Sequence, residues 1–168
     1  MIQLKVCFIG ASAVGKTSLI RRYVDGIFSE KYLTTIGVKI DKKIVNIADD
    51  ICQLMIWDLE GTDRFCGFQP RYLRGAAAYV IVIDHSRPTT FTDGLEILAQ
   101  AQHHSDAPVF LVLNKSDLPC QLSVEQMEQL HQLDINSITN TSAKSGDKVD
   151  ALFIQIAEYI QSKRLQHG

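Results

Sequence analysis

The residues best placed to do chemistry form a loop near the start of the chain, Gly10-Ala11-Ser12-Ala13-Val14-Gly15-Lys16-Thr17. Small residues let successive backbone N–H groups curl around a phosphate, and a following helix would direct its positive dipole end at the same anion. Lys16 adds a positive charge, and the Thr17 hydroxyl is a candidate Mg²⁺ ligand. The spacing Gly-x4-Gly-Lys-Thr predicts a phosphate-binding loop rather than a plain glycine-rich turn. The expected phosphate contacts are Ala13, Val14, Gly15, Lys16, Thr17 and Ser18.

A second polar site follows the apolar segment Met55-Ile56-Trp57. An acid at this strand end, Asp58, can hold Mg²⁺ through a water while Thr17 binds the ion directly. Asp58 taken alone would favour a turn-capping acid, but the phosphate loop and the nearby Gly61 favour the metal role. Gly61 can bring its backbone N–H close to a γ-phosphate because no side chain intervenes.

Two further loops carry the chemistry needed to recognise guanine. In Asn114-Lys115-Ser116-Asp117, the Asp117 carboxylate can accept from the ring N–H and from the exocyclic amine of guanine, whereas adenine presents an acceptor instead of one donor. Asn114 would tie the loop together, and the Lys115 stem would cover the base. Thr141-Ser142-Ala143-Lys144 offers backbone N–H groups to the guanine carbonyl oxygen.

Segments of strand length alternate with segments of helical period, a pattern typical of βαβ units. Strands are predicted at residues 4–9, 38–47, 51–58, 79–84 and 108–113 and around Ile138, with the second and third joined as a hairpin. Helices are predicted at residues 16–25, after Pro88, after the capping box of Ser123 and Gln126, and along the face formed by Val149, Leu152, Phe153, Ile156 and Ile160. We expect an α/β fold with a six-stranded, mostly parallel sheet, one antiparallel edge strand and five helices on both faces.

The composition is typical of a globular protein, and we expect residues 1–168 to form a single domain. Hydrophobic residues make up 46% and charged residues 21%, enough apolar material for a sizeable core. The net charge of −2 gives no general attraction for nucleic acid or anionic lipid. The four cysteines have no spacing typical of zinc ligands or a disulfide framework, which favours reduced thiols in a cytoplasmic protein. The longest apolar run, residues 76–83, is too short to span a bilayer.

These motifs, in this order, resemble those of the small GTPases of the Ras superfamily over residues 4–164, and the Rab branch most closely. The Rab-like segments are Ile36-Gly37-Val38, Trp57-Asp58, Asp63-Arg64-Phe65 and Tyr72-Leu73-Arg74-Gly75-Ala76, together with Ser12. The resemblance implies a P-loop GTPase fold that uses GTP or GDP with Mg²⁺. It also implies that Thr35 closes over Mg²⁺ and the γ-phosphate, and that Phe28 packs against the base.

The largest departure from the family pattern lies in Asp58-Leu59-Glu60-Gly61-Thr62, where the family has Asp-Thr-Ala-Gly-Gln. Thr62 replaces the glutamine that orients the attacking water, and its side chain is shorter and β-branched. Glu60 or Asp63 could polarise the water instead, although the γ-phosphate repels an anion. The candidate catalytic residues are therefore Lys16, Thr35, Gly61 and Thr62. Ala13 stands where glycine is usual, at a cost of about 1 kcal/mol if its φ is positive.

The sequence thus predicts a nucleotide-dependent switch that hydrolyses GTP slowly without a partner. The expected partners are an effector that binds the switch segments, an exchange factor and an activating protein, but not nucleic acid. The chain has no cysteine near its end for a prenyl anchor, so no stable intrinsic membrane anchor is expected. Two alternatives are a GTP-binding adaptor with negligible hydrolysis and a phosphate-loop kinase, which would leave Asn114 and Ser142 unexplained.

Overall fold

The apolar segment that precedes the phosphate loop forms the central strand of the fold. In β1 (Ile2–Gly10), Val6, Cys7, Phe8 and Ile9 are at most 1% exposed, because helices cover both faces of the sheet. The computed structural model describes residues 1–30, 37–59, 61 and 69–167. Its other strands are β2 (Val38–Ile47), β3 (Asp50–Leu59), β4 (Ala78–Asp84), β5 (Val109–Asn114) and β6 (Ser137–Asn140).

The strands form one sheet in the order β2-β3-β1-β4-β5-β6. β2 and β3 pair antiparallel through the expected hairpin, whereas the other pairings are parallel. The parallel strands therefore end at one edge of the sheet, where Asp58 lies opposite Phe8 and Asp84 lies opposite Asn114. This arrangement confirms the predicted six-stranded α/β fold with an antiparallel edge strand, and it gathers the strand-end motifs at one edge.

The helices bury two separate cores, one on each face of the sheet. One core lies under α1 (Lys16–Asp25) and α4 (Val149–His167), and the other lies under α2 (Pro88–His104) and α3 (Val124–His131). The predicted capping box of Ser123 and Gln126 is confirmed by both reciprocal hydrogen bonds. None of the helices in the described part of the chain is long and apolar enough to cross a membrane.

In the part of the chain that the structure describes, there is one α-helix fewer than the five expected. The described residues contain four α-helices and one short 3-10 helix, Pro70–Leu73. That segment spans only four residues, starts with a proline, and is followed by Gly75 at φ 76°, so it ends after a single turn. The expected apolar face of the last helix is confirmed, since its five named residues are at most 5% exposed.

The hydroxyl of Tyr79 is a polar group buried in the core on the α2 side of the sheet. Tyr79 is fully buried, and its hydroxyl has no hydrogen-bond partner within the part of the chain that the structure describes. Burial raises the pKa of Tyr79 to about 12, so the hydroxyl stays protonated.

We therefore predict that Tyr79→Phe raises the free energy of unfolding by about 1 kcal/mol, because it removes a desolvated hydroxyl without breaking a hydrogen bond. Urea unfolding of the two proteins checks this. Tyr159→Phe, a change at a half-buried tyrosine, is the matched control and should shift stability by less than about 0.5 kcal/mol. A clear loss of stability in Tyr79→Phe would contradict the assignment.

Candidate functional site

The phosphate loop (residues 10–17) is held by donors on its outer side. Three side chains from other loops donate to three successive carbonyl oxygens: Arg87 Nη2 to Ser12 at 2.8 Å, Lys115 Nζ to Ala13 at 3.1 Å and Asn114 Nδ2 to Val14 at 2.9 Å. In a trans peptide the carbonyl and the next N–H point in opposite directions. Holding these carbonyls outward therefore turns the N–H groups of Ala13, Val14 and Gly15 to the inner side of the loop, where they can bind an anion.

Lys16 lies folded back over the same loop. The residue is only 5% exposed, and its Nζ donates to the carbonyls of Gly10 at 3.2 Å and Ala11 at 3.0 Å. Burial lowers the pKa of Lys16 to about 8, and the negative charge of Asp58 opposes this shift. A bound phosphate would add negative charge beside this buried ammonium and offset its desolvation, so the site fits an anionic ligand.

The start of α1 completes the anion-binding arrangement. Its first intrahelical hydrogen bond runs from the Leu19 N–H to the Gly15 carbonyl, and the N–H groups of the first helical turn point along the helix axis toward the phosphate loop, where they can face an anion. Gly15 has a φ of 99°, and a Cβ there would collide with the Asn114 amide. Glycine is thus required both by the backbone conformation and by the close approach of Asn114.

Thr17 and Asp58 meet as the sequence predicts. Thr17 Oγ1 donates to Asp58 Oδ2 at 2.6 Å, and Asp58 is 1% exposed. The donated hydrogen leaves lone pairs of the threonine oxygen for a cation, and a hydroxyl with a carboxylate is the hard-oxygen donor set that suits Mg²⁺. Mg²⁺ usually keeps several of its waters and binds one or two protein oxygens together with substrate phosphate oxygens. The residues present therefore fit the expected ion.

Gly61 lies directly against the phosphate loop. Its carbonyl accepts from Ser12 Oγ at 3.3 Å, and a Cβ at this position would come within 2.7 Å of the Ser12 Cα. Only glycine can approach this closely, which brings the backbone of residue 61 next to the expected position of the terminal phosphate.

The two candidate base-binding loops are joined by side-chain hydrogen bonds. Asn114 Oδ1 accepts from Thr141 Oγ1 at 3.1 Å, and Asp117 Oδ1 accepts from Ser142 Oγ at 2.7 Å. The second bond leaves Asp117, which is exposed, with further acceptor capacity directed at solvent. Asn114 thus connects the phosphate loop, through Val14, to the loop that contains Ser142.

The remaining predicted contacts lie around this pair of loops. Ala143 is 4% exposed, whereas Lys144 is exposed and forms a surface ion pair with Glu30 at 3.2 Å. Phe28 is partly buried against the core that α1 and α4 cover. Thr35 and Thr62, with the alternative residues Glu60 and Asp63, lie outside the described residues.

Sequence reasoning missed a charged cluster behind the loops, centred on Asp84. This fully buried carboxylate pairs through Oδ2 with Lys115 Nζ at 2.9 Å and Arg87 Nε at 3.2 Å, and Oδ1 accepts from the backbone N–H and hydroxyl of Ser86. Burial alone would raise the pKa of Asp84, but these hydrogen bonds and the Lys115 charge hold it below its ordinary value. Its position at the end of β4 is the signal that could have identified it.

Comparisons with known proteins agree with this geometry. The sequence profile of the Ras family matches residues 5–162. Ras-related protein SEC4 of Saccharomyces cerevisiae is 35% identical over 164 residues, which cover 95% of this chain and 76% of the yeast protein. Ras-related protein Rab-22A of Mus musculus is 32% identical over 164 residues, which cover 95% of this chain and 84% of the mouse protein.

The backbone of Ala13 gives a stability prediction, because its φ of 62° lies in the left-handed region that disfavours a Cβ. Ala13→Gly should raise the free energy of unfolding by about 1 kcal/mol. Ala11→Gly, a change at a buried alanine of the same loop with negative φ, should lower stability instead. Denaturant unfolding of both variants is the measurement, and equal losses in the two would refute the strain at Ala13.

Proposed function

This chain belongs to the Ras family of small GTPases, and on that premise we propose that it is a guanine-nucleotide switch with slow intrinsic hydrolysis. Family membership makes it a GTP-binding molecular switch in general terms. The proposal assigns that activity to particular residues of this chain and treats residues 1–168 as one G domain.

The observation that carries the proposal is the outward anchoring of the phosphate-loop carbonyls by Arg87, Lys115 and Asn114. The amides of residues 13–18 then surround a diphosphate, and Lys16 supplies the compensating charge. The Asp117 carboxylate would accept from the two guanine donors. The N–H groups of Ala143 and Lys144 would face the guanine carbonyl, because the Ser142 N–H donates to the Asp147 carbonyl at 3.1 Å. At about 1.5–3 kcal/mol per charged hydrogen bond, two such bonds give at least a hundredfold preference over adenine.

Thr17 and Asp58 would hold Mg²⁺, together with Thr35. The ion neutralises phosphate charge when it is bound. Thr35 and Gly61 both lie at the γ-phosphate in this proposal, so loss of that phosphate releases the segments around them. The packing of Gly61 on Ser12 supports this, because it couples the segment directly to the phosphate loop. An effector that binds these segments would then distinguish the two nucleotide states, and an exchange factor and an activating protein would control them.

Hydrolysis is the step in which this chain departs from its family. Thr62 has neither the reach nor the paired donor and acceptor of the usual glutamine. Lys16 still compensates charge at the phosphates, so turnover continues at a reduced rate. A chain that binds GTP without measurable turnover would instead be an adaptor controlled by nucleotide exchange.

The base assignment predicts that Asp117→Asn shifts the preference of the protein from guanine to xanthine nucleotides. Asparagine offers an amide donor to the extra xanthine carbonyl and no longer accepts twice from guanine. Competition of GDP, XDP and ADP against a fluorescent nucleotide measures this.

Asp134→Asn is the matched control, since Asp134 is an exposed aspartate outside the base-binding loops. It should leave the order GDP over XDP unchanged. If the unmodified protein binds ADP and GDP equally, the role of Asp117 is refuted.

The catalytic assignment predicts that Thr62→Gln hydrolyses GTP faster than the unmodified protein by about 10-fold to 100-fold. One charge-assisted hydrogen bond that positions water is worth about 1.5–3 kcal/mol, and each 1.36 kcal/mol is tenfold in rate. Single-turnover phosphate release from preloaded protein measures the step without product exchange.

Thr92→Gln, the same change at an exposed position of α2, controls for general effects of the substitution and should leave the rate unchanged. An unmodified protein that matches or exceeds the Thr62→Gln rate would assign water positioning to another residue. Glu60→Ala and Asp63→Ala are then the variants to assay.

A further inference from the structure

The turn between β4 and α2, residues 85–87, contacts both halves of the candidate nucleotide site. Arg87 Nη2 donates to the Ser12 carbonyl of the phosphate loop at 2.8 Å. His85 Nε2 lies 2.8 Å from the carbonyl of Leu118, the residue after Asp117. None of the motifs that predict nucleotide binding includes this turn.

We propose that the β4–α2 turn positions the two halves of the nucleotide site separately, with Arg87 setting phosphate affinity and His85 setting guanine selectivity. The proposal rests on the proposed function, because it requires Asp117 to bind the base. Both are positioning residues, since each acts through the backbone of a neighbouring loop.

Arg87 is one of the three side chains that donate to outward-facing carbonyls of the phosphate loop. Its guanidinium holds the Ser12 carbonyl, and this orients the N–H of Ala13 inward. Asp84, whose carboxylate is fully buried, forms an ion pair with this guanidinium, with Oδ2 at 3.2 Å from Nε. Lys115 and Asn114, which hold the next two carbonyls, belong to the base loop, so Arg87 is the donor in this series that lies outside the base-binding motifs.

His85 contacts the short segment that contains Asp117. The N–H of Leu118 bonds to the Lys115 carbonyl at 2.9 Å, so residues 115–118 form a tight turn. Lys115 is fixed at one end of this turn by Asp84. At the other end the Leu118 carbonyl can only accept, so His85 Nε2 carries the hydrogen and donates to it.

His85 is well suited to position Asp117, because its ring and its backbone both contact the segment of residues 114–121. It is 7% exposed, its N–H bonds to the Asn114 carbonyl at 3.3 Å, and its carbonyl accepts from the Gln121 N–H at 2.8 Å. The exposed Asp117 thus lies in a turn that is held at one end by Asp84, through Lys115, and at the other end by His85, through Leu118. Loss of the ring donor would free the end next to Asp117.

The test compares three nucleotides by displacement of a fluorescent guanine nucleotide. GMP lacks the β-phosphate that the loop amides surround, and IDP lacks the exocyclic amine that Asp117 accepts from. The ratio of GDP to GMP affinity therefore reports on the phosphate loop, and the ratio of GDP to IDP affinity reports on Asp117.

Arg87→Gln should lower the GDP-to-GMP ratio about tenfold and leave the GDP-to-IDP ratio unchanged. His85→Phe should lower the GDP-to-IDP ratio at least threefold and leave the GDP-to-GMP ratio unchanged. His85→Gln, which keeps an amide donor, should recover selectivity. Arg164→Gln and His131→Phe, changes at exposed positions of α4 and α3, are the controls and should match the unmodified protein.

General destabilisation would weaken all three nucleotides together, so parallel losses in both variants overturn the proposal. Unchanged ratios in Arg87→Gln and His85→Phe also overturn it, provided that the unmodified protein prefers GDP to IDP. If the unmodified protein binds GDP and IDP equally, Asp117 does not recognise the exocyclic amine of guanine. The proposed role of Asp117 and the proposed role of His85 are then both refuted. The effect of Arg87→Gln on the ratio of GDP to GMP affinity still tests the proposed role of Arg87.

Discussion

The site depends on one constraint: backbone N–H groups can converge on an anion only if the carbonyls between them find donors elsewhere. The phosphate loop meets this with Arg87, Lys115 and Asn114 on three successive carbonyls and with Lys16 on two earlier ones. Without such donors, buried carbonyls would be left unsatisfied at a cost of about 1–3 kcal/mol each. The donors from neighbouring loops thus stabilise the anion-binding conformation of the phosphate loop.

The sheet places these donors within reach. Asp84 and Asn114 are register partners at the ends of β4 and β5, and the phosphate loop leaves β1 on the other side of β4. A residue directly after β5 can therefore reach the phosphate loop across the end of β4. The buried Asp84 carboxylate lies between them and pairs with both Lys115 and Arg87. A shift of one residue in the β4–β5 register would move Asn114 away from the Val14 carbonyl.

Patterns contained in one stretch of sequence predict much of the fold. The six strands, the antiparallel hairpin, the capping box and the buried face of the last helix follow from local period and composition, and the structure confirms each. The described residues contain four of the five expected α-helices, and no sequence pattern had assigned the fifth helix to a particular segment. The assigned ligand roles of Thr17, Asp58 and Asp117 remain predictions, supported by the hydrogen bonds that these residues make.

Arg87 and His85 could not be identified from sequence in this way. Arg87 occupies the position before Pro88, which sequence patterns identify only as the start of a helix, and its contact with Ser12 joins residues 75 positions apart. A histidine after a buried strand is compatible with many core environments. Their roles depend on which strands are neighbours in the sheet. The order β1-β4-β5 places the turn after β4 between the loops after β1 and β5.

This position of the turn also bears on how the two halves of a nucleotide bind. Lys115 donates to the phosphate-loop carbonyl of Ala13 while it starts the turn that contains Asp117, so the two loops share one side chain. Ordering either loop then orders part of the other, and the entropy cost of fixing Lys115 is incurred once. A nucleotide that occupies both loops should therefore bind more tightly than its base and phosphate fragments would indicate separately. The fully buried Asp84 supports this connection through its ion pair with Lys115.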